Sequence, residues 1–267
     1  MIGMPRLSIV IVSYNIRPDL EQCLQSLISR KPTVDHEIVV VDNASTDDTV
    51  QALRARWSGV RLIEAGGNVG FSKGNNLGIR QSFGELVLLL NGDTIVPPGA
   101  IDALVATLDR RPDVAVAGPR LVDAQGRAEL SFGSMISPFN ELRQKLRARG
   151  DVERITSRER EVDWVSGACL LVRRADAEAV GLLDERYFMY TEDVDFCAAI
   201  RGRGRRVLFT PAAAVVHLRG RSRQSAPGPT EAAYRRSQIA FYEKHHPRWA
   251  PLIRAYLRLR GRQPDNP

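Results

Sequence analysis

Acidic side chains that end apolar runs are the first sign of chemistry in this chain. Asp93 arrives abruptly after the apolar run 86–90 and the pair Asn91-Gly92. A carboxylate at the point where a strand leaves the core can hold Mg2+ or Mn2+, hard cations that commonly share their oxygen ligands with substrate phosphates. It can equally form an Asx-turn or cap the helix that begins near Pro97. Glu192, Asp193 and Asp195 crowd a single helix start in the stretch Tyr190-Thr191-Glu192-Asp193-Val194-Asp195-Phe196-Cys197. The helix dipole accounts for one or two of them. A third leaves one free to act as a general base, which requires an ionised group near the reacting oxygen. His217 closes the apolar run 213–216 and precedes Leu218-Arg219-Gly220-Arg221-Ser222. Its imidazole could complete a metal shell while Arg219 and Ser222 meet phosphates; the plain alternative is a structural or surface histidine.

These residues need a frame, and the hydropathy pattern supplies one. Residues 7–12 form a short apolar run, and after Ser13, Tyr14 and Asn15 the period changes to helical, with Pro18 just inside the start. The run 37–41 ends in Asp42-Asn43-Ala44-Ser45-Thr46-Asp47-Asp48, where Ser45 and Thr46 can cap a helix carrying Val50, Leu53 and Trp57. A third strand at 60–64, a Gly/Asn-rich loop, a helix through Leu77 and Ile79, and the apolar strand 86–90 follow. Strands that alternate with helices and are apolar on both faces imply an α/β fold with a mostly parallel sheet covered on both sides. Farther on, 165–172 reads as one strand, 207–209 and 213–216 as two short ones, and 193–200 as a helix. The stretch 134–162 has little periodicity and reads as a mobile or partly helical connection. Two helical stretches, around 234–245 and 252–259, finish the chain.

In open parallel sheets ligands bind beyond the carboxyl ends of the strands. Polar residues recur there at four successive strand ends: Ser13 to Asn15, Asp42 and Asn43, the glycines of 66–70, and Asn91 to Asp93. Asp42 could accept a hydrogen bond from a base or ribose, and the glycines would let backbone amides approach a diphosphate. Singly, Asp42 could be only a cap and Gly66-Gly67 only a turn. No G-x-G-x-x-G or G-x-x-x-x-G-K-[ST] pattern occurs at the first strand, which argues against a dinucleotide oxidoreductase and a P-loop hydrolase.

Together these stretches resemble the glycosyltransferase family-two enzymes, especially their rhamnosyltransferase-like branch. The resemblance rests on SIVIVSYN at 8–15, EIVVVDNASTDDT at 37–49, GNVGFSKGNNLGI at 67–79, LLLNGDT at 88–94, VSGACLLVRR at 165–174, YFMYTEDVDFC at 187–197 and VVHLRGRS at 215–222. It implies the A-type glycosyltransferase fold, a Rossmann-like, mostly parallel sheet flanked by helices. It also implies an inverting transfer of a sugar, rhamnose by this branch, from a nucleotide-diphosphate donor to a saccharide or lipid-linked acceptor in cell-surface polysaccharide synthesis. Carried over by position, Ser13, Asn15 and Asp42 hold the nucleotide, and Asn68, Gly70 and Asn75 line the donor pocket. Asp93 binds Mg2+ or Mn2+ with help from His217, Asp193 is the catalytic base, and Glu192 and Trp164 place the acceptor or donor sugar. Asn91, counted with the donor-binding residues, stands where many relatives carry an acid, so the site has one carboxylate less and leans more on donor phosphates and His217.

Composition bounds the rest. The chain has 267 residues with 43% hydrophobic and 6% aromatic content, enough for one large catalytic domain over 1–222 and a basic helical C-terminal extension over 223–267. Within the first, a nucleotide-binding part reaches about residue 120 and an acceptor part follows. No apolar run approaches the ~18–20 residues of a membrane span, and the opening residues lack the features of a signal peptide, so we expect a cytoplasmic protein. Cys23, Cys169 and Cys197 sit among apolar residues and read as buried thiols. From Ala199 onward Lys and Arg number 15 against 3 Asp and Glu, whereas residues 1–198 have 23 against 28. In 252–262, Leu252, Ile253, Tyr256, Leu257 and Leu259 alternate with Arg254, Arg258, Arg260 and Arg262. Such a segment could rest peripherally on the inner face of an anionic membrane that carries the acceptor; it could also pack on its own domain or on a second copy in a homodimer. The aromatics of the tail look like helix-packing residues, which disfavours nucleic acid. Two rival readings remain at this level. A nucleotidyltransferase that makes nucleotide sugars would normally open with a Gly-rich, Lys-containing loop. A non-catalytic nucleotide- or carbohydrate-binding module would have no need of Asp93, Asp193 and His217 together.

Overall fold

The computed structural model describes residues 4–29, 31–137, 152–218 and 227–260. Strands β1 (Leu7–Ser13), β2 (His36–Asp42), β3 (Val60–Glu64) and β4 (Leu86–Asn91) alternate with helices α1 (Arg17–Ser29), α2 (Thr49–Arg56) and α3 (Phe71–Arg80). They pair in parallel in the order β3-β2-β1-β4, so the chain builds outward from β1 and then crosses back to its other side. The carboxyl ends of β1 and β4 become neighbours across that switch point, with Val12 opposite Asn91, while Ser13 lies opposite Asp42 on β2.

Beyond β4 come the two-residue β5 (Thr94–Ile95), α4 (Ala100–Arg110), β6 (Val114–Val122), β7 (Ala128–Glu129) and β8 (Phe132–Gly133). They are followed by α5 (Val152–Ile155), β9 (Arg160–Val162), β10 (Trp164–Val165), β11 (Cys169–Arg173), α6 (Arg174–Ala179), α7 (Glu192–Gly202) and β12 (Arg206–His217). Helices α8 (Pro227–His245) and α9 (Ala250–Leu259) complete the described chain. The main sheet continues β4-β11-β6-β12-β5. β11 runs against both neighbours, while β12 runs parallel to β6, so β11 is the one reversed strand among the long ones. Because β11 sits between β4 and β6, the strands before and after residue 120 share one sheet.

Alternation sorts the core. Leu7, Ile9 and Ile11 of β1 face α1 and α4 through Leu24, Leu27, Ile101 and Leu104, whereas Val10 faces α3 and, with Leu89 and Leu170, the layer of Phe196 and Ile200 from α7. All three cysteines are free and buried in these layers.

Several expectations change here. The run 165–172 is two strands in different sheets, broken at Gly167, and 206–217 is one long strand with an irregularity between Thr210 and Ala214. Ser45 and Thr46 do not cap α2: its N-cap is Asp48, and Asp47 Oδ1 accepts from the Thr49 amide at 3.1 Å. In the connection 134–162, β9 pairs with β12, and residues 138–151 lie outside the described ones.

Candidate active site

At the switch point the polar strand ends are tied to one another. Asp42 is buried and its carboxylate accepts from Ser45 twice, from the amide at 2.9 Å and the hydroxyl at 2.6 Å. Asn15, in the left-handed region at φ 53°, accepts from the Thr46 amide at 2.7 Å and so locks the loop after β1 to the loop after β2. Between them the buried Ser13 hydroxyl has no hydrogen-bond partner among the described residues, which leaves it available to a ligand. Thus Ser13 offers an open group, whereas Asp42 and Asn15 brace the floor with part of their hydrogen-bonding capacity.

The loop after β3 supplies the next wall. Asn68 Oδ1 accepts from the Gly70 amide at 3.3 Å, and the Phe71 amide donates to the Phe188 carbonyl at 2.7 Å, stitching this loop to the segment that carries Glu192 and Asp193. Gly70 has φ +85°, and a Cβ on it would stand 2.5 Å from the Phe188 carbonyl oxygen. Asn75 is buried on α3, and its amide donates to the Phe71 carbonyl at 2.9 Å. It braces α3 from within. Asn76 turns the other way and exchanges hydrogen bonds with Leu183.

Asp93 occupies a tight turn between β4 and β5, and Thr94 Oγ1 closes that turn on the Asn91 carbonyl at 2.7 Å. The helix after it is capped at Gly99, so the capping alternative for Asp93 drops out. β5 pairs with the end of β12, His217 opposite Thr94, and this brings His217 Nε2 to 3.4 Å from Asp93 Oδ1 and 3.4 Å from Asn91 Nδ2. On the far side of the ring, Glu129 Oε2 lies 3.7 Å from His217 Nδ1. Asn91 Nδ2 can only donate, so its contact makes Nε2 the acceptor and leaves the ring proton on Nδ1, the tautomer in which a histidine can ligate a metal through Nε2. Among the described residues no group of three or more His, Cys, Asp or Glu forms a closed metal site. The forward-facing pair of Asp93 and His217 nevertheless fits a cation whose remaining positions are filled by donor phosphates. Arg219, Arg221 and Ser222 lie outside the described residues.

Asp193 stands in the first turn of α7, half-buried. Its Oδ2 accepts from the Gly167 amide at 2.9 Å and its Oδ1 from the Val194 amide at 2.8 Å. One residue past Gly167, the Ala168 carbonyl accepts from the Asn91 amide at 2.9 Å. A single dipeptide therefore connects the base candidate to the metal-motif strand. Burial raises the Asp193 carboxyl above its ordinary range, and the amides of Gly167 and Val194 pull against that. Glu192 is raised well above its usual value by burial and then by the charge of Asp193; its buried Oε2 has no partner among the described residues. Trp164 sits on β10, its indole donating to the Ser134 carbonyl at 3.0 Å, which fixes the ring beside α7.

Three contributors carried no sequence signal. Glu129 comes from a two-residue strand in a polar stretch. Lys244 and His245 come from the basic tail, yet lie 2.8 and 2.6 Å from the buried Asp195 carboxylate.

An open sheet whose polar strand ends meet at its switch point, a strand-end Asp–His pair and a buried acidic helix start fit a glycosyltransferase of the A-type fold. Residues 5–251 match the family model described as "Glycosyltransferase like family 2", and the chain belongs to that family. It is 34% identical, over 96% of this chain and 91% of the relative, to N-acetylglucosaminyl-diphospho-decaprenol L-rhamnosyltransferase of Mycobacterium tuberculosis. It is 29% identical, over 79% of this chain and 68% of the relative, to the dTDP-rhamnosyl transferase RfbF of Shigella flexneri. Among solved structures, a mannosyltransferase from Pyrobaculum calidifontis in complex with GDP-Man and Mn2+ superposes with a TM-score of 0.64 at 20% identity, covering 96% of this chain and 70% of that one.

Proposed function

We propose that the protein moves L-rhamnose from a dTDP-linked donor to a polyprenyl-diphosphate-linked sugar in cell-surface polysaccharide synthesis, with Asp193 as the base of an inverting displacement. The observation that carries this reading is the aim of Asp193: two amides fix its carboxylate, and it is joined through Gly167 and Ala168 to the strand that ends in Asn91 and Asp93. The sugar and acceptor classes come from the two rhamnosyltransferases to which the chain is similar.

In this reading Ser13 and the braced loops of Asn15, Asp42, Asn68 and Gly70 receive the nucleotide and diphosphate. A divalent cation held by Asp93 and His217 would neutralise charge on the departing diphosphate. Asn91 turns its amide toward His217 and offers no second carboxylate, so the cation depends on Asp93, the imidazole and the donor itself. The acceptor oxygen attacks the anomeric carbon opposite the leaving group and Asp193 takes its proton, with no covalent sugar intermediate. Glu192, its carboxyl raised by burial and by the charge of Asp193, and Trp164 place the acceptor or donor sugar. The exposed face of α9 rests on an anionic membrane.

Asp193→Asn should lower transfer by about 10^2- to 10^4-fold, the usual contribution of a general base. Donor-induced thermal stabilisation should survive, at about 2.7 kcal/mol when ligand is ~100 times its dissociation constant. Running dTDP-, UDP- and GDP-sugars with and without Mn2+ or Mg2+ identifies donor and metal in the same assay. Turnover retained in Asp193→Asn removes that residue from its role.

A further inference from the structure

The basic tail does not simply trail from the catalytic body. Asp195, two residues after the base candidate, is 2% exposed, and among the described residues its carboxylate meets Tyr187, Lys244 and His245, all outside α7. Tyr187 Oη donates to Oδ1 at 3.2 Å, His245 Nε2 lies 2.6 Å from the same oxygen, and Lys244 Nζ donates to Oδ2 at 2.8 Å. Lys244 also donates to Asp184 at 2.8 Å, so it spans both ends of the segment 184–195. A carboxylate this deep is tolerable only when it is paired and hydrogen-bonded, and α8 supplies most of that pairing.

The backbone between these anchors is strained. Tyr190 and Thr191 are consecutive non-glycine residues in the left-handed region, at φ 71° and 62°, immediately before Glu192 and Asp193. Such conformations persist where surrounding structure holds them, and they gather at functional sites. The holder is again α8: Ser237 Oγ donates to the Met189 carbonyl at 2.7 Å, and the Tyr234 ring meets Tyr190 edge-on at 5.9 Å. Tyr234, Ser237, Phe241, Lys244 and His245 share one helical face, and buried Phe241 packs with Tyr187 and Val194 between the polar contacts.

We infer that this face of α8 is a working part of the active site, with Lys244 and His245 as positioning residues that hold Asp195, and through it the first turn of α7, so that Asp193 keeps its aim on the acceptor oxygen. The inference rests on the reading of Asp193 as the base. It assigns α8 to the transfer step: Lys244 and His245 act on Asp195 beside the base, whereas the link from this segment to the nucleotide side, the Phe71 amide on the Phe188 carbonyl, is a backbone bond that α8 does not make.

The test uses the full chain, dTDP-rhamnose and a synthetic polyprenyl-diphosphate-linked N-acetylglucosamine, with circular dichroism to confirm folding. Lys244→Met should lower kcat by about 10- to 100-fold, the effect of a small misplacement at the reacting centre, and leave the donor KM unchanged. Lys244→Arg should restore most of the loss. In the Asp193→Asn background Lys244→Met should cost nothing further, because the group it positions is already gone; a merely structural helix would lower both backgrounds alike. Ser237→Ala breaks the tie to Met189 without stranding a buried charge, and carries the same expectation if Lys244→Met does not fold. Wild-type kcat in the folded variants, or equal losses in both backgrounds, overturns the positioning role while the loss in Asp193→Asn alone leaves the base assignment standing. Full turnover in Asp193→Asn instead overturns the base assignment, and this role with it.

Discussion

Two adjacent carboxyls in the first turn of α7 behave differently because their surroundings differ. Glu192 is raised well above the carboxylate range by burial and by the charge of Asp193, while Asp193 is raised by burial but restrained by two amides. A carboxyl whose folded pKa exceeds its unfolded value makes the native state bind more protons, so its contribution favours folding at pH below the unfolded pKa and is lost as pH rises through the folded one. Glu192→Gln should therefore raise Tm at neutral pH, by about 2–4 °C for each kcal/mol relieved, and the gain should vanish near pH 4. Calorimetry across that range checks it; equal Tm values at pH 7 would show that Glu192 carries no burial penalty. At this scale the sequence announces Asp93 and His217 because each follows an apolar run near a strand end, and Asp193 because three acids crowd one helix start. Glu129 is silent because its nearness to His217 depends on β7 pairing with β6 and β6 with β12, which no local pattern encodes.

Elements are legible where periodicity is strong and obscure where pairing decides. β1 to β4 and α1 to α4 follow directly from apolar runs and helical spacing. The reversed direction of β11 does not, since a run such as Cys169–Arg173 reads alike in either orientation, and the polar edge strand β9 exists only by pairing with β12. Arg173 and Arg174 show why the end of that run is basic. Arg173 donates to the carbonyls of Leu108 and Val114, and Arg174 to those of Ile79 and Gly84, which ties the C-terminal ends of α4 and α3 to β11. The loop before α3 gives an element-scale prediction. Gly66 and Gly70 both have positive φ, but a Cβ on Gly66 meets nothing within 4 Å, whereas on Gly70 it strikes the Phe188 backbone. Gly66→Ala should therefore show only backbone strain, about 1 kcal/mol, while Gly70→Ala should add a steric cost of about 1–3 kcal/mol and weaken donor binding. Urea titrations of both variants isolate the contact; equal destabilisation would mean that the loop does not need its close approach to Phe188.

The whole molecule carries its charge unevenly, 15 basic against 3 acidic residues from Ala199 onward, and the structure divides that excess. Lys244 is committed inward at Asp195 and Asp184, and Arg254 pairs with Glu243. Ala250 and Leu257 of α9 are buried, but Trp249, Leu252, Tyr256 and Leu259 form a separate stripe, with Leu252 58% and Leu259 88% exposed. Arg260 lies 5.6 Å over the Tyr256 ring at the edge of that stripe. Among the described residues no helix is long and apolar enough to cross a membrane. An apolar stripe edged by arginines suits the headgroup boundary of an anionic bilayer, where each nearby basic residue contributes about 1 kcal/mol and each inserted leucine about 1.5–3 kcal/mol. Vesicles containing phosphatidylglycerol should therefore bind the protein at low salt, lose it as ionic strength rises, and bind Leu252→Glu or Leu259→Glu about tenfold or more weakly. Phosphatidylcholine vesicles should bind poorly throughout. Absence of binding to anionic vesicles at low salt, together with concentration-dependent dimerisation that Leu259→Glu abolishes, would assign the stripe to a second copy of the chain.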